Sequence, residues 1–211
     1  MARKDERMKI MKWLSGIVPA VFAAGVLAAP ASTPIRGTLK LSRTEDGGYV
    51  YAHKARISFW TAIKIATRKV PGRVAWLSPE NIDGYLFHMV QVVTPDRSLK
   101  IVTIDAGNGR IVKVEPQAEK PRGTSGQVSF KGTLSAVGMK TSEFPYAAKI
   151  TLERAMRIAL KRYPGRFREV YIYEGGGWLF WGIEIASDRK REIMKIDVDA
   201  GSGAVVNMEP M

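Results

Sequence analysis

Ile150-Thr151-Leu152-Glu153-Arg154-Ala155-Met156-Arg157-Ile158-Ala159-Leu160-Lys161-Arg162-Tyr163-Pro164-Gly165-Arg166 decides the fold, because the chain carries this pattern twice. At an offset of 93 the earlier copy reads Ile57-Ser58-Phe59, then Ala62, Ile65, Ala66, Pro71, Gly72 and Arg73. Ser58 and Thr151 are good N-cap residues. Behind Ser58 the apolar positions are Phe59, Ala62, Ile63, Ala66 and Val70. Behind Thr151 they are Leu152, Ala155, Met156, Ala159, Leu160 and Tyr163. That spacing gives one apolar face on each helix. Pro71-Gly72 and Pro164-Gly165 stop both.

The period changes downstream. Leu86, His88, Val90 and Val92 alternate as one face of a strand, and Leu179, Trp181, Ile183 and Ile185 are their counterparts. Arg73–Leu77 and Phe167–Tyr173 read as the strand directly after each helix, with Glu174-Gly175-Gly176-Gly177 as a hairpin turn. Val102 and Ile104, and Ile196 and Val198, mark a further strand. Asp105-Ala106-Gly107-Asn108-Gly109 matches Asp199-Ala200-Gly201-Ser202-Gly203 at an offset of 94, one residue having been inserted near 189–192. Such a segment is a tight turn, since glycine reaches the positive φ that hairpins require. Ile111–Val114 and Val205–Met208 form a final strand. Upstream, Gly37-Thr38-Leu39 weakly echoes Gly132-Thr133-Leu134.

A helix followed by antiparallel strands is α+β. The chain therefore reads as two tandem repeats, each with one helix on a curled antiparallel sheet and its own modest core. The expected organisation is a signal segment at 1–31, repeats at 32–116 and 130–211, and a Pro/Gly/Ser/Thr-containing linker at 117–129.

The composition agrees and narrows the chemistry. The 211 residues contain no cysteine and two histidines, with 45% apolar and 25% charged residues and a net charge of +13. Disulfides, thiol catalysis and cysteine metal sites are absent. Residues 1–12 are basic, 13–29 carry no charge, and Ala29-Pro30-Ala31 supplies a small-residue cleavage site. That is a secretory signal peptide, with cleavage expected before Ser32. The rival is an uncleaved membrane anchor, for which the apolar run is short. The protein is then expected in the periplasm or outside the cell. Its first repeat carries +6 and its second +3.

The repeated pattern resembles the PepSY domain family. The second copy carries it as Ile150, Thr151, Ala155, Ala159, Pro164, Gly165, Trp181, Ile183, Ile185, Val198, Asp199, Ala200, Gly203 and Val205. The first carries Ile57, Ser58, Ala62, Ala66, Pro71, Gly72, His88, Val90, Val92, Ile104, Asp105, Ala106, Gly109 and Ile111. The resemblance implies a small extracytoplasmic module of the kind found in propeptides of thermolysin-type peptidases. It implies binding or regulation rather than catalysis, and it brings no fixed set of functional residues. The His-Glu-x-x-His zinc motif of the peptidase itself is missing.

Single residues point the same way. His88 reads as a core histidine, because Trp181 holds its place in the other copy. His53 reads as solvated; no Gly-x-Ser-x-Gly elbow supports a triad with Asp46 or Ser58. Asp105 and Asp199 read as turn residues, since too few oxygens accompany them for calcium. The glycines at 175–177 lack the helix and Lys-Ser/Thr of a phosphate loop. No catalytic residue, metal or cofactor is expected.

Tyr85 and Phe87, with Trp178 and Phe180, fall on the strand face opposite the helix. They are expected as an exposed contact surface, or else as rings buried by packing one repeat on the other. Arg73 and Arg166 recur in both copies and complete the expected partner-binding set. Arg154, Arg157 and Lys161, with Lys64 and Arg68, read as solvated helix faces. The partner is expected to be a protein, such as a peptidase. The alternatives are an anionic lipid or polymer of the envelope, or membership of a membrane complex as an accessory subunit. Nucleic acid is not expected, for want of a reading motif.

Overall fold

The structure, a computed structural model, describes residues 34–42, 47–119 and 128–211. The signal reading at 1–31 and most of the expected linker lie outside these residues. No helix among the described residues is long and apolar enough to cross a membrane.

The first half contains α1 (Gly48–Lys54), α2 (Phe59–Lys69), β1 (Arg73–Ile82), β2 (Tyr85–Val93), β3 (Leu99–Asp105) and β4 (Ile111–Gln117). The second contains α3 (Phe144–Ala147), α4 (Leu152–Arg162), β5 (Arg166–Gly175), β6 (Trp178–Ala186), β7 (Ile193–Asp199) and β8 (Val205–Pro210). The caps act as the sequence indicates: Ser58 accepts from Thr61 N at 3.2 Å and Thr151 from Arg154 N at 3.3 Å. Behind each helix the glycine of Pro-Gly is forced by close approach. A Cβ on Gly72 would stand 2.3 Å from the Val93 oxygen, and one on Gly165 would stand 2.4 Å from the Ala186 oxygen.

Two features depart from the sequence reading. The repeats do not build separate sheets. All eight strands form one sheet in the order β4-β3-β2-β1-β5-β6-β7-β8. Nor are there two separate cores, because α2, α4 and the inner faces of both halves share one contiguous apolar cluster. Phe59 of the first half stacks on Phe167 of the second at 5.7 Å. The reason is geometric: two small sheets joined edge to edge turn their helix-bearing faces to the same side, so apolar residues of the two halves meet across the join, as Phe59 meets Phe167.

The join is narrow. β1 and β5 register only at Trp76–Tyr171 and Leu77–Val170. Leu77 and Val170 are equivalent residues at offset 93, so a pseudo-twofold axis passes through that pair. α1 packs against β1, β5 and β6, while α3 packs against β1 and β5. Each short helix also holds the opposite half. Tyr49 donates its hydroxyl to Ser187 O at 3.2 Å, and Tyr146 donates to Val93 O at 3.1 Å. β4 and β8 are the outer strands, and each carries a Glu-Pro pair at or next to its end that blunts further strand pairing.

The upstream echo has a structural purpose. Thr38 donates to the Asp105 carboxylate through its backbone N at 2.7 Å and its hydroxyl at 2.8 Å. Thr133 does the same to Asp199, from its backbone N at 2.7 Å and from its hydroxyl. The same carboxylates close the hairpins: Asp105 accepts from Gly107 N at 2.8 Å, and Asp199 accepts from Ser202 N at 2.6 Å. Gly109 and Gly203 complete those turns at φ +80° and +82°. Burial opposes ionisation of Asp199, but hydrogen bonds from Ser202 and Thr133 outweigh it and hold the carboxyl below the usual range. Asp199→Ala strands those donors, so it is expected to lower stability by about 2 kcal/mol. A urea titration against the unsubstituted chain measures it; an unchanged midpoint would show that water replaces the carboxylate fully.

Candidate functional site

Where β1 and β5 diverge, a cavity of about 230 Å³ opens between the halves. Four elements build it. The end of α1 and the loop into α2 supply Ala52, Ala55, Arg56, Ile57 and Ser58; the first turn of α2 supplies Phe59 and Trp60; and Leu160 of α4 with Gly165, Arg166 and Phe167 at the start of β5 supply the far side. The loop is fixed because Arg56 N and Ile57 N both donate to Ala106 O at 2.9 Å. Trp60 meets Phe167 edge to face at 5.8 Å. The walls are therefore held in place and mainly apolar, with Ser58 and the two arginines as their polar side chains.

Two arginines are part of the lining. Arg56 is exposed, and its guanidinium has no partner among the described residues. Arg166 reaches Asp188 only at 3.6 Å, with side chains 53% and 60% exposed, which makes the pair worth at most ~1 kcal/mol. Asp188 is held more closely by His53 Nε2 at 2.6 Å, and His53 Nδ1 faces Tyr49 O at 2.8 Å. His53 is thus a tie between the halves, where the sequence suggests a solvated residue. The first turn of α2 contains no acidic residue, whereas that of α4 contains Glu153.

The other residues expected to bind a partner fall elsewhere. Phe87 and Phe180 are fully buried, which corrects the expectation of an exposed pair. Each is covered by its own repeat's Gly-Thr-Leu segment rather than by the other repeat. A Cβ on Gly37 would meet the Phe87 ring at 2.9 Å, and one on Gly132 the Phe180 ring at 3.1 Å. Tyr85 and Trp178 are half-buried and bridge to Lys40 and Ser135 of those segments. Arg73 donates to Pro145 O at 2.9 Å and lies over the Tyr146 ring, which Arg97 also covers. Of the six, only Arg166 lines the cavity. Lys64, Arg68, Arg154, Arg157 and Lys161 are exposed on their helices.

The sequence reading missed Arg56, Trp60, Leu160 and Phe167. A signal was present: at offset 93 Trp60 faces Glu153 and Leu160 faces Thr67, so the copies diverge where the cavity lies. A second hollow of about 330 Å³ lies beside Trp76 and Tyr171, at the paired midpoint of the join. Its lining includes Gln91, Gln117 and Thr141, and Trp76 is already committed to Glu169 by a 2.6 Å hydrogen bond.

A duplicated helix-on-sheet unit fused through one antiparallel pair defines a tandem α+β module. Residues 56–115 and 149–209 match the family described as the peptidase propeptide and YPEB domain, PepSY. The chain belongs to the PepSY family, with two copies of the domain. The matches begin at the loops into α2 and α4, so the preceding segments with α1 and α3 lie outside them. A search of curated proteins finds no match. Among solved structures, a candidate lipoprotein from Clostridium difficile 630 is similar at 20% identity, covering 74% of this chain and 94% of that one, with a TM-score of 0.40. At that score nothing about this chain's action follows from it.

Proposed function

We propose that this chain is a non-enzymatic binding module acting outside the cytoplasm, and that its partner is an extracytoplasmic peptidase whose activity it regulates. The observation that supports this reading is the membership of both halves in a domain family named for peptidase propeptides. The fused sheet adds a physical reason for two copies. It creates a cavity between them to which both halves contribute residues.

The test uses residues 32–211, crosslinked to an envelope fraction. The expected capture is a peptidase, whose cleavage of a peptide substrate falls as the pure chain is added. Capture of lipid or polymer alone, or a peptidase unaffected by the chain, would overturn the reading.

One observation favours a second reading. Arg154, Arg157 and Lys161 stand exposed together on α4 in a chain of strongly positive net charge. Such a face suits an anionic surface of the envelope. Binding to anionic vesicles should then weaken several-fold between low and physiological salt, as screening shortens the reach of exposed charge. Binding indifferent to salt would dismiss it.

A further inference from the structure

We infer that the cavity between the halves captures the C-terminal residue of a peptide, with its apolar side chain inside and its α-carboxylate on Arg56 and Arg166. The inference deepens the reading of a protein-binding module and rests on it for the class of occupant.

Size comes first. At about 230 Å³ the cavity falls below the roughly 300–1,000 Å³ of pockets that enclose cofactors and drug-sized ligands. It suits one large side chain. Ile57, Trp60, Leu160 and Phe167 offer that side chain a mainly apolar surface, with Ser58 beside them, and the ring contacts between Phe167 and α2 keep it in place. A buried apolar anchor in such a pocket is the usual centre of a binding site.

Charge chooses the end of the peptide. Two arginines line the cavity, one from each half. Arg56 is unpartnered among the described residues, and Arg166 is held only by a distant carboxylate. A planar fork of donors matches a carboxylate, and two forks can share one. An internal segment of chain would present a neutral peptide group there and leave the Arg56 charge without a partner. A free C-terminus presents an anion and an apolar side chain on the same carbon. The first turn of α2 adds no acidic residue, and Asp188, the carboxylate beside Arg166, is itself tied at 2.6 Å to His53.

Divergence between the copies points to the same place. The pseudo-twofold puts Glu153 at the position of Trp60, Thr67 at that of Leu160 and Lys149 at that of Arg56. On that side Tyr146 fits between Arg73 and Arg97. The arginine equivalent to Arg166 is therefore engaged within the molecule, while Arg166 remains available.

The experiment is calorimetric titration of residues 32–211 with an acetylated tetrapeptide ending in leucine. Its comparison ligands are the C-terminally amidated form, the form ending in lysine, and octanoate. The free leucine peptide should bind, and amidation or lysine should weaken it at least tenfold. Arg56→Gln with Arg166→Gln should weaken the free acid as much as amidation does, and should leave the amidated peptide unaffected. Leu160→Trp, which fills the cavity, should abolish binding while thermal unfolding stays cooperative.

Equal binding of acid and amide, indifference to both arginine substitutions, or binding of octanoate without peptide would each overturn the inference. Its fate separates from that of the regulatory reading. A double-arginine variant that captures and inhibits a peptidase as well as the parent sinks this site alone. A parent chain that binds peptide termini but restrains no peptidase sinks the regulatory reading alone.

Discussion

Trp181→Ala is expected to lower stability by about 3–5 kcal/mol, the range for deleting a large buried aromatic side chain. Trp181 is 1% exposed and belongs to the shared core. It also donates its indole N–H to Ile150 O at 2.8 Å, which ties the loop before α4 to the sheet. The substitution opens a void and leaves that carbonyl short of a donor. Urea unfolding measures the loss, with the half-buried Trp178→Ala as the control that should cost far less. Trp181→His should cost less than alanine, because His88 makes the equivalent bond in the first half, from Nε2 to Ile57 O at 2.7 Å. A Trp181→Ala loss under about 1 kcal/mol would mean that the core closes over the gap, contrary to close packing.

The elements governed by local rules were legible in the sequence. Ser58 and Thr151 cap helices because their oxygens reach the N–H three residues on. The Asp-Ala-Gly-x-Gly turns follow from glycine's φ range. α1 and α3 were not legible: they have seven and four residues, too few for a periodic signal to emerge. The fused sheet was not legible either. Its join consists of two residue pairs, and Leu77 and Val170 look like any other inward strand residues.

The candidate site was legible only in part. Arg166 was visible because it recurs with Arg73, but recurrence does not say which copy is occupied. That depends on Tyr146 filling one side of the join. Phe87 and Phe180 were placed on the correct strand face. Burial was expected only from the other repeat, because alternation tells which way a ring points and not what lies over it. The covering segments were visible as the Gly-Thr-Leu echo, yet only the structure shows Gly37 and Gly132 lying on those rings.

Stability should fall as pH drops from about 6.5 towards 4, and His88 is the reason. His88 is buried beneath Phe59, whose ring meets it edge-on at 5.4 Å. Because Nε2 must donate to Ile57 O, Nδ1 is the nitrogen left to take a second proton, and it has no partner among the described residues. Burial therefore pushes the imidazole down from 6.5 to about 4, against the opposing pull of the Ile57 hydrogen bond. The sign follows from linkage. Between those two values the unfolded chain binds the proton and the folded chain does not, so acid favours unfolding. At 1.36 kcal/mol per unit the full window amounts to about 3 kcal/mol. His88→Phe keeps a ring in the core and removes the titration, so its unfolding free energy should stay level across that window. The paired comparison by urea titration at pH 4, 5, 6 and 7 isolates His88 from the other histidine and from the carboxylates. Asp105 and Asp199, held below the ordinary carboxylate range, act at the acid end in both chains alike. If the parent and His88→Phe trace parallel curves, the buried imidazole finds an acceptor for its second proton, and the neutral tie to Ile57 is not what holds the first repeat's loop to its sheet.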